Sequence, residues 1–167
     1  RTLANGLRVV VVEHHEQPLV SLRLLVGAGT ARDAMPKLGV ANMVASLLDQ
    51  GTASRSAQQI AVAVDAIGGD LSIGAGTDAT LAYFTVLKDS LDQGLDLLSD
   101  LVRAPVFAPG DLERQREHLR SALRVSYQEP AYLATIVFRR LVYGAHHYGY
   151  PATGTPTSIE RITRGDL

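Results

Sequence analysis

Strand-patterned and helix-patterned stretches follow one another in blocks along this chain, and that order constrains the fold more than any single motif does. Residues 7–12 form a β-branched apolar run that follows the turn dipeptide Asn5-Gly6 and ends in the polar cluster Glu13-His14-His15-Glu16. Beyond Pro18, the apolar residues Val20, Leu22, Leu24 and Val26 alternate with Ser21 and Arg23, which is the period of a strand with one face on a core. Two neighbouring runs of this kind with a short polar connection predict an antiparallel pair. The period then changes. Val40, Met43, Val44, Leu47 and Leu48 share one side of a helix predicted over residues 38–48, closed by Gly51-Thr52. A second helix is predicted over residues 56–67, opened by the capping residue Ser56 and stopped by Gly68-Gly69.

The remainder repeats this block order. Residues 71–73 and 80–87 read as another strand pair around Gly74-Ala75-Gly76. Three helices are predicted after it, over residues 91–102, 110–128 and 130–143, with Pro105 and Pro109 bracketing the first connection. Blocks of strands and helices, without regular alternation, predict an α+β fold: a mainly antiparallel sheet of four or more strands packed against helices. The chain has 167 residues, enough for one domain with a sizeable core.

Composition removes several function classes. Lys and Arg number 16 against 17 Asp and Glu, so the basic surplus expected of a nucleic-acid binder is missing. No apolar run approaches the roughly 18 residues that cross a bilayer. With no cysteine, disulfides and thiolate metal sites are excluded. Arg1 stands first, so the sequence carries no information on a targeting segment or a compartment.

The informative chemistry lies in residues 38–52. Two histidines four apart share a helix face and can grip one metal ion, and a glutamate between them can polarise the metal-bound water; the inverted form of this signature reads His-x-x-Glu-His. Here the frame Leu38-Gly39-Val40-Ala41 and the closing Gly51-Thr52 enclose Asn42-Met43-Val44-Ala45-Ser46. Other segments stand in order around it: Leu3-Ala4-Asn5-Gly6-Leu7-Arg8-Val9, Ile67-Gly68-Gly69, Leu112-Glu113-Arg114, His147-Tyr148-Gly149-Tyr150-Pro151, Gly154-Thr155, Ser158-Ile159 and Ile162-Thr163. In this order and spacing they resemble the pitrilysin and processing-peptidase family of inverted-motif zinc peptidases, over nearly the whole chain.

The resemblance implies that Asn42 and Ser46 occupy the two histidine ligand positions and Ala45 the general-base glutamate position. It also implies that Ala122 stands where the third ligand, a glutamate, is expected, and Gln115 where a second glutamate precedes it by seven residues. Asn and Ser are weak neutral ligands and Ala is none, so the expectation is a chain that binds no zinc cofactor and is inactive alone, in a family that uses zinc. His118 shares a helix side with Gln115 and Ala122, and the simpler reading is a partly exposed histidine on a helix shoulder. His14-His15 are adjacent on a strand end and point to opposite faces, and His146-His147 lie in a Gly- and Tyr-rich loop where a hydrogen-bonded structural role is simpler. Gly27-Ala28-Gly29 and Gly74-Ala75-Gly76 lack a phosphate-loop context, and no Gly-x-Ser-x-Gly elbow is present.

By the same resemblance, Ser72, Ile73, Gly74, Ala75, Gly76 and Thr77 belong to an edge strand that holds extended peptide. Residues 1–167 are then one processing-peptidase-like domain, the N-terminal domain of a longer two-domain chain, cut where a helix leading to a closing strand is expected. The implied function is that of a non-catalytic subunit, paired with an active zinc-bearing subunit to enclose a peptide-holding chamber. Three alternatives stay open: a structural core subunit of a respiratory complex, a degenerate domain of a single-chain zinc peptidase, and a peptidase with an unrecognised site. Periplasmic or organellar residence fits the resemblance.

Overall fold

The computed structural model describes residues 1–167. Its sheet is organised around β3 (Thr80–Leu87), which lies between β1 (Leu19–Val26) and β2 (Asp70–Ala75) and pairs antiparallel with both. The register sets Val20, Leu22 and Leu24 opposite Val86, Phe84 and Ala82, and Leu71 and Ile73 opposite Phe84 and Ala82. Because side chains alternate across a strand, these residues share one face of the sheet. Two helices cover that face, α2 (Ala57–Ala66) and α3 (Leu91–Arg103). Ile60, Val64, Leu97, Leu98 and Leu101 close on Ala82, Phe84 and Val86 in a continuous core. The start of α2 follows from its sequence: the Ser56 hydroxyl accepts from the Gln59 N–H while the Gln59 side chain accepts from the Ser56 N–H. The other face of the sheet meets solvent, where the Ser21 and Thr85 hydroxyls lie 3.3 Å apart and the Arg23 guanidinium sits 5.4 Å from the centre of the Tyr83 ring.

A second core forms where α1 (Val40–Leu47), α4 (Pro109–Ser126) and α6 (Pro156–Glu160) meet: Met43 and Leu47 pack with Leu112, Leu119, Leu123, Ile159 and Ile162. Arg116 is buried here, its guanidinium donating to the Ile159 and Ile162 carbonyls and to Glu113. A buried cation is tolerable when its donors are filled, and these bonds fasten the α6 segment to α4. Between them, α5 (Pro130–Tyr143) buries none of its residues and leaves Leu133, Val137, Phe138 and Leu141 exposed. No helix is long and apolar enough to cross a membrane.

Three expectations require correction. The sheet has three strands rather than four or more, and residues 7–12 form no strand beside β1. Val10, Val11 and Val12 are exposed, and the segment's strand-like contact is a single bridge between Thr2 and Arg8 around the Asn5-Gly6 turn. The physical reason lies in the pattern: residues 9–12 are four consecutive valines with no polar alternation, and the connection at residues 13–18 has no tight hairpin turn to set a register. β1 instead finds eight residues of matched register on β3. The helix over 38–48 also starts later, because Leu38 is extended and Gly39 has φ of 101°.

Phe84 is fully buried at the crossing of both strand pairs with α2 and α3. Phe84→Ala is expected to lower the unfolding free energy by about 3–5 kcal/mol, the range for emptying such a site. Chemical denaturation followed by circular dichroism checks this.

Candidate functional site

The start of α1 is built from outside the helix. Gly39 adopts a positive φ and sits so close to the 153–154 loop that an added Cβ would lie 2.9 Å from the Thr153 carbonyl oxygen. The buried Asp33 reaches back across this turn, its carboxylate accepting from the N–H of Gly39 at 2.7 Å and of Ala41 at 3.0 Å. These are amides that a helix start leaves without intrahelical partners. Burial pushes the Asp33 carboxyl above the usual range, and the same N–H groups oppose that rise by favouring the charged form. From the far side, the Ser158 hydroxyl donates to the Leu38 carbonyl at 2.7 Å.

From this fixed start, α1 runs along β2 on one side and α4 on another. Asn42 and Ser46 are half-buried and Ala45 is 2% exposed. The Ser46 hydroxyl donates to the Asn42 carbonyl at 2.9 Å, so its proton is engaged within the helix. Across the contact with α4, Met43 and Leu47 share a core with Leu119 and Leu123; Met43 follows Asn42 in sequence and Leu123 follows Ala122. Asn42 and Ala122 thus lie on two helices that pack together. Gln115 is half-buried, while Ala122 and His118 are exposed on α4. A zinc ion needs three protein donors of imidazole, thiolate or carboxylate type, and an amide, an engaged hydroxyl and a methyl group do not fit it. No three His, Cys, Asp or Glu side chains converge in the fold. The apolar side expected for this helix is divided: Met43 and Leu47 enter the core, whereas Val40, Val44 and Leu48 line a cleft of about 450 Å³ together with Ala41.

The edge of β2 has a definite polarity. The Gly76 N–H donates to the Ala79 carbonyl at 2.8 Å and closes the turn to β3. Antiparallel alternation then assigns the backbone groups of Asp70, Ser72 and Gly74 to β3 and directs those of Leu71, Ile73 and Ala75 outward. Of the residues expected along this edge, Ile73 and Ala75 therefore present free backbone groups, and Ser72 and Gly74 face solvent beside them. The Gly76 and Thr77 carbonyls are occupied, accepting from the N–H groups of Thr30 and Ala31.

Sequence reasoning missed several groups that set this geometry. Asp33 carries no local motif, because its partners lie six and eight residues on. Asp100 on α3 accepts from Thr52, Ser54 and Arg55 at 2.6–2.8 Å, fixing the turn that follows α1 and holding its own carboxyl below the usual range. The exposed His14 and His15 face Glu16 and Glu13, and the His146 ring accepts from the Tyr148 N–H, a structural use.

A helix fixed at its start thus lies beside a free strand edge, with a second long helix packed across it. The description Insulinase (Peptidase family M16) matches residues 8–154, and the chain belongs to that family. It is 31% identical over 166 residues to an uncharacterized zinc protease of Mycobacterium leprae, covering 99% of this chain and 37% of that one. A zinc protease of Bacillus subtilis is 24% identical over the same share of the chain and 41% of its own length. Among solved structures, one described as a peptidase M16 inactive domain from Pseudomonas fluorescens superposes with a TM-score of 0.95 at 29% identity, over 99% of this chain and 40% of that one. The periplasmic protease PqqL of Escherichia coli shares the fold, with a TM-score of 0.86 at 19% identity over 98% of this chain and 19% of its own. The chain spans about two fifths of the length of the curated relatives it matches.

Two measurements follow from the ends of this arrangement. Asp33→Ala leaves two N–H groups at the α1 start without partners and is expected to destabilise the fold by about 1–3 kcal/mol, read by thermal unfolding at neutral pH. Asp166, hydrogen-bonded by Lys37 at 2.5 Å and by Thr163, is held down at about 2 from 3.8. Its contribution is therefore present above 3.8 and is lost as pH falls through about 2. Lys37→Met is expected to weaken the fold above that window and to raise the midpoint of acid unfolding.

Proposed function

We propose that this chain is a non-catalytic unit of the M16 family that holds an extended peptide along the edge of β2, beside an active zinc-bearing subunit. The carrying observation is the set Asn42, Ala45 and Ser46 on α1 with Ala122 on the adjoining α4, standing where the ligands and general base of an inverted-motif peptidase are expected. All four positions depart together, so no partial ligand set survives. The free backbone groups of Leu71, Ile73 and Ala75 give peptide a place to add as a strand, a recognition mode that depends on main-chain hydrogen bonds. The Pseudomonas fluorescens structure, itself described as an inactive domain, supports the reading. The greater length of the relatives supports a second element of it, that the unit is one domain of a longer two-domain chain. On that reading, the active half either belongs to a separate subunit or lies elsewhere in the same polypeptide.

Elemental analysis of the protein purified in the presence of zinc is expected to find far less than one ion per chain. One tightly held zinc with ligands from α1 and α4 would overturn the reading. The combined variant Asn42→His, Ala45→Glu, Ser46→His and Ala122→Glu is expected to gain zinc binding by calorimetry if the positions descend from a ligand set. Co-purification from the native source is expected to retain a chain with an intact His-x-x-Glu-His helix.

A further inference from the structure

The turn that ends the edge strand, residues 76–79, is gripped from two directions. On one side the segment 29–31 lies against it: Thr30 and Ala31 donate their N–H groups to the Gly76 and Thr77 carbonyls at 3.0 and 2.8 Å. Gly29 has no room for a side chain there, since an added Cβ would lie 2.6 Å from the Ala79 nitrogen and from the Thr77 oxygen. On the other side the Tyr148 hydroxyl donates to the Asp78 carboxylate at 2.5 Å, across 70 residues of sequence. The Tyr148 ring is held in place before it meets the turn. It packs edge-on against His146 and Tyr143 at 4.8 and 5.6 Å, and the Tyr148 carbonyl accepts from Arg139 on α5 at 2.9 Å.

This grip also reaches α1. Segment 29–31 continues into Asp33, whose carboxylate fixes the Gly39 and Ala41 amides at the helix start. Segment 29–31 thus links the 76–79 turn to the start of the helix that runs along β2. The bond at Tyr148 is charge-assisted, in which a neutral hydroxyl meets a carboxylate, and so it is stronger than a bond between two neutral groups. Asp78 is exposed and makes no contribution to either apolar core, which separates the bond's effect on position from an effect on folding.

We propose that Tyr148 and Asp78 form a latch that fixes the β2–β3 turn and thereby sets the position of the β2 edge relative to α1. Tyr148 is a positioning residue in this scheme: it acts on bound peptide through the strand. Only that last consequence rests on the reading of β2 as a peptide edge; the latch itself does not.

Native-state hydrogen exchange on the free protein tests the latch directly. In Tyr148→Phe and in Asp78→Ala, protection of the Thr30, Ala31 and Gly76 amides is expected to fall by roughly three- to tenfold, the span of one hydrogen bond at a partly exposed site. Protection at Phe84 and Leu101 is expected to stay as in the parent protein. The double variant should lose no more than either single one, because both remove the same bond. Unchanged protection at the turn, or losses that add in the double variant, would overturn the latch, as would equal losses throughout the core. A second arm uses a labelled decapeptide of alternating valine and lysine. Its binding is expected to slow exchange at Leu71, Ile73 and Ala75 and to weaken by a similar factor in each single variant. If the parent protein shows no such slowing, the peptide reading of β2 fails while the exchange result on the free protein still decides the latch. If peptide binds the variants as tightly as the parent, the positioning role is overturned.

Discussion

β3 uses its backbone hydrogen-bonding groups on both sides, its even-numbered residues toward β1 and its odd-numbered ones toward β2. The consequences extend through the whole molecule. With β3 central, Ala82, Phe84 and Val86 share a face with the apolar residues of both neighbours, and that apolar face is the one the helices α2 and α3 cover. β1 and β2 become edges. One of those edges, β2, lies along α1, so the strand order that satisfies β3 also creates the edge on which the proposed peptide-holding role rests.

The second core depends on a polar interaction. Arg116 is buried among Leu112, Leu119, Ile159 and Ile162, and its guanidinium meets the carbonyls that end α6. The Ile159 carbonyl also accepts from the Ile162 N–H at 3.4 Å, and carbonyls at the end of a helix carry partial negative charge that a cation satisfies. The arrangement holds residues 156–162 against α4, and Ser158 in turn holds the approach to α1 through Leu38. The region around α1 is thus fixed by Asp33, Ser158 and the 153–154 loop, none of which belongs to the helix. Ala45 matters in the same way. It is buried, and a glutamate in its place would carry a desolvated carboxylate unless a metal and its water drew the group outward.

Much of the fold was legible from local pattern. Strand patterning gave β1 and β3, the capping residue Ser56 gave the start of α2, and Pro109 and Pro130 marked where α4 and α5 begin. The candidate positions on α1 and α4 came from the family resemblance; helix spacing adds only that Asn42 shares a face with Ser46, and Gln115 with His118 and Ala122. The partner of β1 was not legible. Residues 7–12 are as β-prone as any in the chain, yet β-propensity does not name a partner, and pairing with β3 buries Leu22 and Leu24 against helices whose position the sequence does not give.

The sequence by itself determined the strand and helix periods, the capped start of α2 and the absence of any thiolate metal site, because each is a property of residue identity and short-range spacing. Tertiary structure alone decided which strands pair, which side of α1 faces a cleft, and that Asp33 meets Gly39, Asp100 meets Thr52, and Tyr148 meets Asp78. Contacts between side chains that are 48 or 70 residues apart leave no periodic trace in the chain. They arise only once burial of the two cores has brought the elements together.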